Sequence, residues 1–333
     1  MMKTVLTLGL CALLLAGALR GEAADPAPFA VGNQSPLVAI YGLPAASEAR
    51  VLQPSEGSLG LTLDLANHYI TSRKGVENLV LDGESLCVRI SARYGLGHRA
   101  EAGVEIPLWM VGGGFLDSFI DSYHTAFGFP GGGRDLAPKN RLLYRYEKNG
   151  VALLHMEQSG QGLGDIRFTG AWQIYSAAGG GRHLALRAGL KLPTGDAGGL
   201  RGSGSTDLAL WLAGNWQRSF SAGTLSLFGA AGALGMTKGR VLAAQQRPLV
   251  GFGTLGAGFR PLSWMELKLQ TNAHTSFYKD SDLPQIDAPS VQLTIGGALH
   301  LAPRMSLDIG VTEDLAVGRS PDVVFHLGLS RTF

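Results

Sequence analysis

Asp117, Asp121 and His124 fall at i, i+4 and i+7, so a helix here would carry two carboxylates and an imidazole on one face. Groups of these types at this spacing are able to hold a divalent metal or to perform acid–base chemistry. Ser118 and Ser122 lie beside them, but no Gly-x-Ser-x-Gly frame surrounds either serine. Two acids and one histidine are also ordinary on the wet face of a helix, and that reading outweighs the metal site. A second set is Arg89, Arg93, Glu101 and Glu105. Arg93 and Glu101 stand four residues either side of Gly97, and Arg89 and Glu105 eight either side. A hairpin centred on Gly97 sets each arginine opposite a carboxylate on one face, and Ile90 across from Val104 on the other. Paired charges mostly neutralise each other, so a structural ladder outweighs a charged constriction. The other histidines are dispersed, and the glycine triplets lack the Lys-Ser/Thr of a phosphate loop. Neither a metal nor a cofactor is expected.

The elements that must position these residues show the two-residue period of strands. Leu59, Leu61, Leu63 and Leu65 share one face; so do Leu86, Val88, Ile90, Ala92 and Tyr94, and then Ala102, Val104, Ile106 and Leu108. The pattern returns over 166–174, 184–192, 208–216, 265–274, 291–301, 307–311 and 323–333, with glycine-rich stretches at 223–235 and 249–260. That makes about 12 strands, with 10 to 14 left open. The joints alternate short (95–98, 177–182, 219–222, 261–263, 302–304) and long (69–83, 112–164, 194–205, 236–248, 277–289, 315–322). Bacterial barrels have short periplasmic turns and longer outer loops. The expected fold class is therefore all-β, a transmembrane antiparallel up-and-down β-barrel with a short helix in the large outer loop. Leu116, Phe119, Ile120, Tyr123 and Phe127 form the apolar face of that helix, and Asn149-Gly150 marks a hairpin between 141–148 and 151–157. Trp109, Trp172, Trp211, Trp216 and Trp264 suit interfacial girdles.

The ends of the chain agree with this architecture. Lys3, the apolar run Val5–Leu19 and the small residues Gly21 and Ala23 read as a secretory signal peptide, 1–23, cleaved after Ala23. Residues 24–56 hold five prolines and little alternation, and read equally as a periplasmic tail or as a plug in the lumen. Residues 57–333 are the barrel. Phe325, Leu327, Leu329 and Phe333 close the chain as an apolar strand face ending on an aromatic residue, which resembles the C-terminal insertion signal of barrel proteins. The chain has 48 glycines and only 16% charged residues. Its net charge is +2; loss of Lys3, Arg20 and Glu22 with the signal peptide leaves +1, so nucleic acid is not an expected partner. Cys87 alone would remain, which excludes an intramolecular disulfide. The expected partners are the lipid bilayer and the barrel-insertion machinery, in the Gram-negative outer membrane; the oligomeric state stays open.

Several short motifs carry a family resemblance: Asn33-Gln34-x-Pro36, Gly42-Leu43-Pro44, Leu81-Asp82-Gly83-Glu84, Gly113-Gly114-Phe115-Leu116-Asp117, Phe127-Gly128 with Arg134, and Gly162-Leu163-Gly164-Asp165-Ile166. Over 29–333 the chain resembles a proteobacterial family of uncharacterised outer-membrane β-barrels, domain of unknown function 3187. The resemblance implies a barrel and brings no activity or site residue. The small residues of the polar face (Gly60, Thr62, Ser91, Gly103, Thr294, Gly296, Ser306, Gly328 and Ser330) leave space in the lumen, so a passive channel for small solutes is the leading function. An outer-membrane lipid hydrolase or protease, or an adhesive surface barrel using loop 112–164, are the alternatives. No enzyme activity is expected.

Overall fold

A computed structural model describes residues 27–116, 138–178, 180–315 and 318–333. The expected signal peptide lies outside the described residues, as does the loop helix beyond Leu116; no helix occurs among the described residues. The alternating segments form strands: β1 (Gly57–Lys74), β2 (Glu77–Gly95), β3 (Ala100–Gly112), β4 (Leu143–Lys148), β5 (Val151–Met156), β6 (Gly160–Leu163), β7 (Arg167–Ser176) and β8 (Arg182–Lys191). They continue with β9 (Asp207–Phe220), β10 (Gly223–Met236), β11 (Leu249–Leu262), β12 (Met265–His274), β13 (Ser290–Ala302), β14 (Met305–Asp314) and β15 (Val323–Thr332). β1–β3 and β7–β15 pair antiparallel in succession, and β15 returns to β1 with Ser58 opposite Thr332. The result is a closed barrel of 12 strands. Leu208, Leu210, Leu212, Leu267, Leu269, Ile309 and Leu327 are exposed on its outer surface, while Ala209, Trp211, Lys268, Gln270 and His326 alternate with them inside. An apolar exterior around a polar interior is the pattern that lipid imposes.

The expected loop 69–83 is strand instead. β1 and β2 run 18 and 19 residues, about 8 more than a membrane crossing needs. They turn at Gly75 (φ 57°) and Val76. Above the wall β2 leaves β3 and pairs with β4, and the hairpin β4–β5 at Asn149-Gly150 completes a four-stranded hood. Ile70, Leu79, Leu81, Tyr144 and Tyr146 are buried on its inner face. The hood folds over the long-loop end of the barrel and makes one core with Leu200, Leu242, Phe277, Leu283 and Ile286 from the loops.

The register of the second hairpin is shifted by two residues from the expected one. Arg93 stands opposite Gly103, Arg89 opposite Pro107 and Ile90 opposite Ile106, so the centre is His98 rather than Gly97. The turn closes with Leu96 N–H donating to Ala100 O. A two-residue shift preserves both faces of a strand, because the side-chain period is two. Gly103 opposite Arg93 has a cause: a Cβ there would lie 2.9 Å from Arg93 Cγ, so the missing side chain lets the arginine stem cross the strand.

Candidate permeation path and the segment that fills it

The interior of the barrel is occupied by the chain's own residues 27–56. The segment climbs from the short-turn side, turns under the hood and descends. On the way up, Lys268 donates to Ala27 O at 3.0 Å and Arg89 to Ala30 O at 3.0 Å. Gln270 brackets Phe29, accepting from its N–H at 2.9 Å and donating to its carbonyl at 3.1 Å. The Phe29 ring is fully buried, with Lys268 Nζ 4.3 Å from its centroid and His326 edge-on at 5.9 Å. A Cβ at Gly310 would lie 3.2 Å from that ring, which is why no side chain stands there. Asn33 bonds His274 at 2.9 Å and Ser290 at 3.3 Å; Gln34 donates to Asp64.

The turn, 35–43, places Leu37, Val38, Ile40 and Tyr41 in the core beneath the hood. Tyr41 stacks on Phe277 at 5.0 Å, and Tyr278 donates to Leu37 O at 2.9 Å. Burial pushes both phenols well above the ordinary tyrosine range. Gly42 N–H donates to Asp207 at 2.7 Å. A Cβ at Gly42 would meet Asp207 Cβ at 2.9 Å, so this approach requires glycine. Asp207 is itself anchored: Lys191, buried, reaches Asp207 at 3.2 Å, Asp165 at 2.5 Å and Ser203 at 2.6 Å. A buried ammonium needs such a shell, because its desolvation is offset only by full pairing.

On the way down, Gln173 accepts from Val51 N–H at 2.7 Å and donates to Ala49 O at 3.0 Å. Glu101 accepts from Leu52 N–H at 2.8 Å, and Arg93 holds Glu48 at 3.2 Å. Gly310, against the Phe29 ring, and Gly95, against the main chain of Leu52 and Gln53, are wall positions where a missing side chain makes room for this segment. A cavity of about 40 Å³, enough for a few waters, is lined in part by Tyr41, Arg89, Trp109 and Lys191. Toward the short turns, Gly60, Ser91, Ser306 and Ser330 on β1, β2, β14 and β15 are less buried, and Ser306 bonds Ser330 at 2.9 Å.

The predicted site residues distribute as follows. Arg93 bonds Glu101 diagonally at 3.4 Å, and Arg187 shares that carboxylate at 2.9 Å. The expected Arg89–Glu105 pair is replaced, because the register carries them apart: Arg89 bonds Asp64 at 3.3 Å and Glu105 bonds Arg167 at 2.9 Å. Asp64 also binds His326 at 2.6 Å. Asp117, Asp121 and His124 lie outside the described residues. Phe325, Leu327 and Leu329 share the outward face of β15, and Phe333 exchanges both main-chain bonds with Gly57 at 2.9 Å. Of the expected girdle, Trp172 and Trp264 are exposed, but Trp109 and Trp211 are buried inside the barrel. The alternation itself decides this, since Leu108 and Leu212 point outward. Gln173, Arg187, Lys191, Asp207 and Gln270 were not singled out by sequence; their signal is a long polar side chain at an inward position.

A family described as "Protein of unknown function (DUF3187)" matches residues 4–333. No curated protein matches the chain. Among solved structures, an outer membrane channel of the COG4313 group from Pseudomonas putida F1 superposes with a TM-score of 0.55 at 12% identity, covering 86% of this chain and 98% of that one. The NanC porin gives 0.45 at 8% identity, covering 82% and 98%. The beta domain of the Bordetella autotransporter BrkA gives 0.45 at 12%, covering 84% and 100%. The fold is that of the outer-membrane β-barrels.

Proposed function

The chain belongs to the family described as "Protein of unknown function (DUF3187)", and from that premise we propose that it is an outer-membrane channel for small polar solutes, closed by its own N-terminal segment. The observation that carries this reading is how the segment is held. Polar side chains of the wall grip its main chain at Ala27, Phe29, Ala30, Ala49, Val51 and Leu52. Each such bond contributes only about 1 kcal/mol net, because water replaces it when the segment leaves. An apolar interface on the wall would seal the barrel permanently; a polar one leaves a wettable lumen behind. The apolar turn beneath the hood makes openings rare at rest, since burying each large side chain contributes about 1.5–3 kcal/mol.

In this reading the chain divides into a cleaved signal peptide, 1–23, a plug, 24–56, and a barrel, 57–333. The short turns face the periplasm and the hood faces the cell exterior. Phe325, Leu327, Leu329 and Phe333 serve recognition by the insertion machinery. The test is conductance in planar bilayers. Wild-type protein gives infrequent discrete steps, and a variant lacking residues 27–52 gives a steady open current. Silence of both proteins at all voltages, with heat-modifiable gel migration proving folded barrels, refutes the channel.

A further inference from the structure

We propose that the lumen wall is a recognition track for the main chain of an extended peptide, and that the solute is an oligopeptide that takes the place of the ascending limb. This inference rests on the channel reading and names its solute. The carboxamide of Gln270 presents an acceptor and a donor side by side, as the edge of a β-strand does, and it takes both the N–H and the C=O of Phe29. On the descending limb the Gln173 carboxamide also takes one main-chain donor and one acceptor, from two residues, Val51 N–H and Ala49 O. A wall built for an anion would present donors of one sign. Along the ascending limb the cations are balanced by wall neighbours: Lys268 by Asp308 at 2.7 Å and Arg89 by Asp64 at 3.3 Å. Main-chain groups, with their alternating donor and acceptor, match that balance.

One socket adds side-chain preference. Ala66, Val324, Gly310, His326 and Lys268 surround the Phe29 ring. Small residues flank the aromatic one on the chain: Ala27-Pro28-Phe29-Ala30. The track therefore favours an aromatic residue set among small ones.

The test uses the variant lacking residues 27–52 in detergent and in bilayers, with a fluorescein-labelled octapeptide of residues 27–34. Saturable binding by anisotropy and transient interruption of the current are expected. Gln270→Leu in that variant removes both bonds to residue 29 and weakens binding roughly tenfold or more. Gly310→Leu fills the socket and weakens it as a second, independent variant. An unlabelled peptide of unrelated sequence with one aromatic residue competes; sucrose does not. Absence of saturable binding, equal competition by sucrose, or indifference to both substitutions overturns the proposal. The two readings fail separately. Current without peptide binding removes the track and leaves the channel; peptide binding to a folded barrel that never conducts removes the channel and leaves the track.

Discussion

Phe29→Ala tests whether the ascending limb closes the path. The ring is fully buried, lies against Ala66, Val31 and Val324, and receives Lys268 Nζ at 4.3 Å. Truncating a buried phenylalanine costs about 3–5 kcal/mol, and the cation–π contact is a part of that amounting to about 1–2 kcal/mol. Val31 belongs to the same limb and moves with it, so the lower figure, about 3 kcal/mol, applies to docking. At 1.4 kcal/mol per factor of ten, the ratio of docked to undocked segment falls by about a hundredfold. The barrel itself is held by its strand ladder and keeps its heat-modifiable migration. Single-channel recording is the assay, and open probability rises by about two orders of magnitude or to saturation. A folded Phe29→Ala barrel with unchanged open probability would refute the reasoning, because the ring would then be packing that bars nothing.

Other outcomes follow from the same geometry. Asn33→Cys with Ser290→Cys joins side chains now 3.3 Å apart, so oxidation should lock the channel shut and a reductant should restore current. Tyr41, Tyr278 and Tyr144, all outside the membrane-spanning strands, have phenols raised by burial, Tyr144 further by Asp82 and Glu84. Their stabilising effect is complete below the unfolded value near pH 10 and is lost as pH rises through the folded values, so absorbance at 295 nm should show them ionising only as the hood opens. Deleting Phe333 removes two main-chain bonds to Gly57 and should reduce insertion into the outer membrane several-fold, measured by surface proteolysis, while leaving the conductance of the inserted fraction unchanged.

Strands were legible wherever one face meets an apolar surrounding and the other does not. Leu208, Leu210 and Leu212 declare β9 without any knowledge of its partners, and Asn149-Gly150 declares the β4–β5 hairpin by turn chemistry alone. The hood was missed because Thr71-Ser72-Arg73-Lys74 is polar on both faces, and such a stretch looks like a loop until a second hairpin pairs beside it. The ion pairs were half legible. Parity put Arg89, Arg93, Glu101 and Glu105 inside, but long side chains choose among several neighbours once β1, β7 and β8 stand around them.

The sequence by itself determined most of the wall: about 12 antiparallel strands, the facing of those with strict alternation, the short joints, and the closure of β15 on β1. These depend on a two-residue period and on turns, which are local properties. Only the tertiary structure decided what fills the lumen. The apolar residues of 24–56 left plug and periplasmic tail equal, because the bonds that dock the segment come from Gln270, Arg89, Gln173 and Glu101, residues scattered over four strands. The small inward residues read alike for water and for a segment of chain, since an absent side chain records space without its occupant. Closing the barrel brings Gly310 beneath Phe29, and that contact between residues 281 positions apart gives the space its occupant.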